Sequence, residues 1–441
     1  MRNGIRITIQ PSHFGKNEEF FAELFYKKAT RRRQGLIDYK IYGNKMNDII
    51  KKSDSVIFQT YARFPIVLEK GKGCRVWDTD GKEYIDFVAG VAVVNLGHCH
   101  PGITNAIKEQ AEKLFHVSNL YYTVPQTELA EWLVERSFAD RVFFCNSGAE
   151  ANEAAIKLSR KYFSEKGEKG RYTILTMTQS FHGRTMGAMS ATGQDKIKYG
   201  FDPMLEGFDF VPFNDIDALS AKMSDKVCAV MLEPVQGEGG IVCAEKGFLK
   251  SVRELCDKHG ALLIYDEIQT GMGRTGKLFC HDYDNVAPDI MTLAKGLGNG
   301  LPIGAMLATE KVGSAFKAGA HGSTFGGTPF ITAAALEASR IIEKESILDK
   351  CVAAGSYFRS KLDGLKKKHD VIVDVRGIGL LLGVKLKIEG AQIVKKCMEK
   401  GFLINCVQND TLRFIPPLVI SNEEINLLIN CLDEILAGLS A

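Results

Sequence analysis

Ile290-Met-Thr-Leu-Ala-Lys-Gly-Leu-Gly-Asn-Gly300 begins as a short apolar run and ends on a lysine followed by three glycines. Upstream, Ala261-Leu-Leu-Ile-Tyr-Asp266 has the same form, with a carboxylate where the later run has Lys295. Runs of this length alternate with amphipathic segments and read as strands of a mostly parallel sheet. Further runs at 141–145, 173–176, 227–232 and 305–308 extend the pattern. Residues 149–163 predict a helix with Ala151, Ala155, Leu158 and Tyr162 on one face, and 247–259 predict another, ended by Gly260. The expected fold class is α/β, a mostly parallel central sheet with helices on both faces. Such sheets place ligand chemistry at the carboxyl ends of their strands, where Asp266 and Lys295 both fall.

Outward from this core the pattern changes. Residues 76–88 read as a hairpin with an Asp-Gly turn. After about residue 345 come a helix, strands near 371–375 and 380–386, a helix at 390–400 and a closing helix from Ser421. The expected organisation is a basic leader over 1–52, an N-terminal segment over 53–100 that belongs to a small domain, a large domain over 101–344, and a smaller α+β domain over 345–441.

Composition narrows the function. With 441 residues, 45% hydrophobic and 25% charged, the chain can bury a large core. No stretch approaches the ~18 apolar residues of a membrane span. Eleven cysteines stand singly, without a CxxC pair, which reads as reduced thiols and a cytoplasmic location. His98-Cys99-His100 looks metal-like, but adjacent residues diverge and no partner pair is evident, so no metal is expected. The net charge of +3 conceals an asymmetry: residues 1–52 hold twelve Lys/Arg against five Asp/Glu, leaving the remainder near −4. A nucleic-acid binder would spread basic residues through the fold, so that class is set aside. The leader, with Arg31-Arg32-Arg33, reads as a targeting peptide, a solvated tail, or sequence upstream of the true start. Glu18, Glu19 and Glu23 and the scarcity of serine weigh against a transit peptide, and the functional chain is expected to begin near Met46.

Three local features carry chemistry. Asn146-Ser147-Gly148-Ala149 joins a strand end to a helix start, which makes either an anion site or a simple helix cap by Ser147. Asp266 is a turn cap or a placed charge. Lys295, alone, would be a surface group, yet the glycines after it let backbone and ligand approach closely. Together they form the set that pyridoxal phosphate (PLP) requires: an amine for the Schiff base, an acid for the pyridinium nitrogen and a helix terminus for the phosphate. A carboxylate at Asp266 favours the protonated ring. A competing pattern, Gly271-Met-Gly-Arg-Thr-Gly-Lys277, fits a P-loop spacing but has Leu278 where Ser or Thr must hold Mg²⁺.

From about Ser53 onward the chain resembles the class III, or ω-amino acid, aminotransferases of PLP fold type I. The motifs are Asn95-Leu-Gly-His-Cys-His-Pro101, Asn146-Ser-Gly-Ala-Glu-Ala-Asn-Glu153, Phe181-His-Gly-Arg-Thr185, Glu233-Pro-Val-Gln-Gly-Glu-Gly-Gly240, Asp266-Glu-Ile-Gln-Thr-Gly271, Lys295-Gly296, Ser323-Thr-Phe-Gly-Gly327 and Arg413-Phe-Ile-Pro-Pro417. The resemblance implies that Lys295 forms the Schiff base and then moves the proton between carbons. It implies that Asp266 holds the pyridine nitrogen and Gln269 the ring hydroxyl, with Ile268 and Phe181 on opposite ring faces. Ser147, Gly148 and Ala149 would surround the phosphate, and Thr324 would reach the phosphate of the other subunit in a homodimer.

For the substrates, the resemblance makes Arg184 and Arg413 the carboxylate binders, which suits guanidinium geometry. Glu238 would pair with Arg413 during the first half-reaction, leaving the donor's α-carboxylate on Arg184 with Ser323 nearby. Glu238 would then release Arg413 to the α-carboxylate of 2-oxoglutarate. Ornithine-specific members carry a tyrosine where this chain has Val91. The wording is closer to members acting on N2-acetylornithine, whose acylated end suits an apolar entrance. Ornithine, succinylornithine, succinyldiaminopimelate and 4-aminobutyrate are the competing donors. A non-catalytic PLP-fold protein is the rival from another class, and it would be expected to lack Lys295 or Asp266.

Overall fold

A computed structural model describes residues 45–439. The basic run at 31–33 and the rest of the leader through residue 44 lie outside the described residues. Residues 45–67 form a unit of their own, with one helix, Lys45–Val56, followed by chain that exposes Phe58, Tyr61 and Phe64.

The unit from Leu68 onward is built on a seven-stranded sheet. Its strands are β1 (Arg141–Cys145), β2 (Thr173–Met177), β3 (Phe208–Val211), β4 (Val227–Leu232), β5 (Leu262–Asp266), β6 (Ile290–Leu293) and β7 (Gly304–Ala308). They lie in the order β1-β7-β6-β5-β4-β2-β3, and only β7 runs antiparallel to its neighbours. Helix α1 (Gly148–Glu165) covers one face and α2 (Phe248–His259) the other. Alternation along β5 shows why both faces must be covered. Leu262 and Ile264 pack with Ala155 and Leu158 of α1, whereas Leu263 and Tyr265 pack with Val252 and Cys256 of α2. Chain reversal after α2 uses Gly260 at φ 61°, a left-handed helix end that favours glycine. This is the architecture of PLP fold type I.

The strand β3 was not among the runs expected from sequence. It is a four-residue edge strand interrupted by Asp209, too short and polar to stand out. The chain after residue 345 also holds more strands than expected. Thr411–Phe414 and Asn405–Val407 complete a four-stranded antiparallel sheet with Ile372–Ile378 and Leu381–Leu386. Phe402–Leu403 pairs in parallel with Glu83–Asp86, so the N-terminal hairpin takes its last strand from the C-terminal part. The closing helix Asn422–Ala437 starts on a capping box: Ser421 Oγ accepts from Glu424 N–H, and Glu424 accepts from Ser421 N–H.

Arg274 ties these parts together. Fully buried, it donates to Leu380 O (3.0 Å), Pro416 O (2.5 Å) and Asn95 Oδ1 (2.6 Å). Burial without a carboxylate hydrogen-bond partner lowers its pKa to about 10.

Candidate active site

The site is assembled from strand ends along one edge of the large sheet. Asp266 closes β5 and is buried. Its Oδ1 accepts from Ile268 N–H at 3.1 Å; its Oδ2 accepts from Asn152 Nδ2 at 2.8 Å and meets His182 Nδ1 at 2.7 Å. Asn152, on α1, also donates to His182 O (2.7 Å) and accepts from the Thr292 hydroxyl of β6 (2.8 Å). Three elements therefore fix this carboxylate, as a buried charge requires. Asn152, His182 and Thr292 carry no role in the sequence reading. Asn152 and His182 lie inside recognised motifs, but only the fold shows that their side chains converge on Asp266.

Lys295 follows β6 at φ 42°, an uncommon conformation for a non-glycine residue. Burial pushes its amine pKa down; Glu238 and Asp266 oppose this and Arg413 reinforces it, with a net decrease. Phe181 follows β2, and its N–H donates to Glu233 Oε1 at 2.9 Å. Arg184, exposed, places its guanidinium carbon 5.8 Å from the Phe181 ring centroid.

At the start of α1, Ser147 Oγ accepts from Glu150 N–H at 3.2 Å, so the serine is a helix cap. The first amides beyond it, on Gly148 and Ala149, have no intrahelical acceptor. A Cβ on Gly148 would lie 2.7 Å from Ile268 Cδ1, and one on Gly183 would lie 2.8 Å from Ala149 Cβ. Only glycine fits at either place.

Arg413, buried on Thr411–Phe414, pairs with Glu238 at 2.5 Å and also donates to Asn405 Oδ1 and Gly237 O, both at 3.2 Å. Burial pushes the Glu238 carboxyl up, but Arg413 and Lys295 more than offset this and hold it below its usual value. Glu233, which the sequence reading gave no role, is pushed up to about 7 by burial. Both its oxygens accept backbone N–H groups, from Phe181 and Gly237.

A cavity of about 250 Å³ brings nine of the expected residues together: Gly148, Ala149, Phe181, Arg184, Glu238, Asp266, Ile268, Gln269 and Lys295. Glu233 and His182 also line it. Arg413 reaches it through Glu238. Ser147, Ser323 and Thr324 do not line it. Ser323 accepts from Asn146 Nδ2 at 3.1 Å, and exposed Thr324 lines a separate cavity of about 710 Å³ with Ser323, His321 and Asn119. The P-loop-like stretch from Gly271 to Lys277 runs in turns, and only a short 3-10 segment, Cys280–Tyr283, follows it. His98 is engaged with Asp86 at 2.8 Å, and His100 caps the helix Pro101–Ala111.

Comparison with known proteins shows the family to which the chain is similar. The class-III aminotransferase family model matches residues 57–436. The acetylornithine aminotransferase of Methanocaldococcus jannaschii is 53% identical over 377 residues, covering 86% of this chain and 95% of that protein. The acetylornithine aminotransferase of Caldanaerobacter subterraneus is 53% identical over 382 residues, covering 86% and 97%. Among solved structures, ornithine aminotransferase from Toxoplasma gondii aligns with a TM-score of 0.88 at 36% identity, covering 93% of this chain and 98% of that one. N-acetylornithine aminotransferase from Stenotrophomonas maltophilia aligns with a TM-score of 0.77 at 42% identity, covering 88% and 99%.

Proposed function

Because the chain belongs to the class III aminotransferases, which are PLP-dependent transaminases, we propose that it transfers the terminal amino group of N2-acetylornithine to 2-oxoglutarate. The products are N-acetylglutamate 5-semialdehyde and glutamate, a step of arginine biosynthesis. The observation that carries this reading is one cavity lined by an amine of lowered pKa, a fixed carboxylate and Glu238, which pairs with Arg413.

The residues present fit the cofactor. Gln269 Oε1 and His182 Nε2 are buried without a hydrogen-bond partner among the described residues, and Gly148 lets the backbone at the start of α1 lie against Ile268, where a side chain would collide. Lys295 would hold the cofactor, Asp266 its ring nitrogen, Gln269 its ring hydroxyl, Ile268 and Phe181 its faces, and Gly148 and Ala149 its phosphate. When bound, PLP supplies an electron-withdrawing ring that acidifies the carbon bearing the amino group. Lys295, once the substrate amine has displaced it and with its pKa lowered by burial, would move that proton between carbons.

Arg184, exposed at the mouth, holds the donor's α-carboxylate. Glu238 meanwhile neutralises Arg413, which keeps a second carboxylate out. For 2-oxoglutarate, Glu238 turns away and Arg413 takes the α-carboxylate, while Arg184 takes the other. Val91, where ornithine-specific members carry a tyrosine, would suit an uncharged acetyl group. The working form is a homodimer in which Thr324 of the partner subunit reaches the phosphate. The exposure of Thr324 and its separation from its own subunit's cavity support this. So do the exposed Leu120, Tyr121 and Tyr122. Eleven free cysteines support a cytoplasmic location.

The structural likeness to an ornithine aminotransferase favours one second reading, free ornithine as donor. Steady-state kcat/KM with 2-oxoglutarate and acetylornithine, ornithine, succinylornithine or 4-aminobutyrate separates them. The acetylated donor should lead; a preference for ornithine would overturn the substrate assignment.

A further inference from the structure

The loop that carries Glu238 links the short strands Val235–Gln236 and Val242–Cys243. The loop is held from two sides. On one, Gln236 Nε2 donates to Thr178 O at 2.9 Å, and Gly237 N–H donates to Glu233 at 3.2 Å. On the other, Gln408 Nε2 donates to Glu238 O at 2.8 Å and Arg376 Nε donates to Gly240 O at 2.7 Å. Side chains crowd the loop. A Cβ at Gly237 would lie 1.9 Å from Gln269 Oε1, and one at Gly240 would lie 2.9 Å from an Arg376 guanidinium nitrogen. The Glu238 side chain, by contrast, keeps 30% exposure. An ion pair can open by side-chain rotation or by loop displacement, and the hydrogen bonds on both sides of this loop favour the first.

We propose that Gln408 and Arg376 are specificity-determining positioning residues, which confine the gate to rotation of the Glu238 side chain by pinning the Glu238 and Gly240 carbonyls. The proposal rests on the reading of Glu238 and Arg413 as a gate. With the backbone fixed, Glu238 returns to the same contact after each turn and neutralises Arg413 fully while the ω-amine donor is bound. Without the pins, the carboxylate sits loosely and Arg413 stays available to α-carboxylates at the wrong half-reaction. Gln408 itself adopts φ 50°, followed by Asn409 at φ 65°, so the turn holds the amide in place with a backbone that glutamine uses rarely.

The test measures kcat/KM for acetylornithine and for 2-oxoglutarate in the holoenzyme, in Gln408→Ala, in Arg376→Met and in Glu238→Gln, with thermal melting of each. Loss of one hydrogen bond to the loop should lower the donor-to-acceptor ratio of kcat/KM about five- to tenfold in Gln408→Ala. Arg376→Met should act in the same direction, and Arg376→Lys, which keeps a donor, should recover part of the ratio. A ratio unchanged in both pin variants, or equal losses for both substrates, overturns the proposal while Glu238→Gln still reports the gate. If Glu238→Gln also leaves the ratio unchanged, the gate reading fails and this proposal with it. Wild-type enzyme inactive on acetylornithine contradicts the functional reading and the proposal together.

Discussion

His182 Nδ1 lies 2.7 Å from Asp266 Oδ2, inside the protein, while the other ring nitrogen of His182 has no hydrogen-bond partner among the described residues. The imidazole therefore orients the carboxylate that is assigned to the cofactor's ring nitrogen. His182→Phe removes that contact and leaves Asn152 as the remaining side-chain donor. Hydrogen bonds to charged groups contribute about 1.5–3 kcal/mol, so cofactor affinity should fall about ten- to a hundredfold. Equilibrium dialysis of PLP against the apoenzyme checks this, and unaltered affinity would remove the assigned role.

Gly148→Ala should displace Ile268, because the new methyl would lie 2.7 Å from Ile268 Cδ1. Overpacking of this kind costs about 1–3 kcal/mol. The loss should be larger in the melting temperature of the holoenzyme than in that of the apoenzyme, since Ile268 lines the cofactor cavity.

The Glu238–Arg413 pair sets a pH dependence. The Glu238 carboxyl is held below its ordinary value of ~4.3, so the pair is intact above that value and is lost as pH falls through the lowered one. The preference for ω-amine donors should therefore be level from about pH 6 to 9 with respect to this group. Glu238→Gln should lose that preference throughout the range. A wild-type preference that tracks a titration near neutrality would point instead to Glu233, whose pKa is about 7.

Arg274→Met leaves Leu380 O, Pro416 O and Asn95 Oδ1 without their donor. The expected cost is about 2–4 kcal/mol, read as a shift of the urea midpoint. Arg274→Lys keeps the charge but presents its donors from one compact nitrogen in place of the two that Arg274 uses, so it should fall between wild type and Arg274→Met.

How much of this was readable in advance depended on the kind of residue. The buried strands β4 to β6 announce themselves as continuous apolar runs, and the glycine after α2 marks its end. Asp266 and Lys295 were legible because they interrupt apolar runs at strand ends. Asn152 and His182 were not, because a polar residue on a helix or loop looks solvated until the fold turns it inward. The short strands after residue 400 were hidden too, since two to four residues cannot establish an alternation. Ser147 caps its helix, and the neighbouring amides are left as candidate anion donors.

Lys295 and Asp266 are proposed to hold PLP in a site that accepts the terminal amine of acetylornithine. The most direct measurement mixes holoenzyme with acetylornithine alone and follows the visible absorbance of the lysine-bound cofactor. That absorbance should fall in a single half-reaction, return on addition of 2-oxoglutarate, and be absent in Lys295→Ala. Absorbance that acetylornithine leaves unchanged while ornithine or 4-aminobutyrate bleaches it would contradict the account.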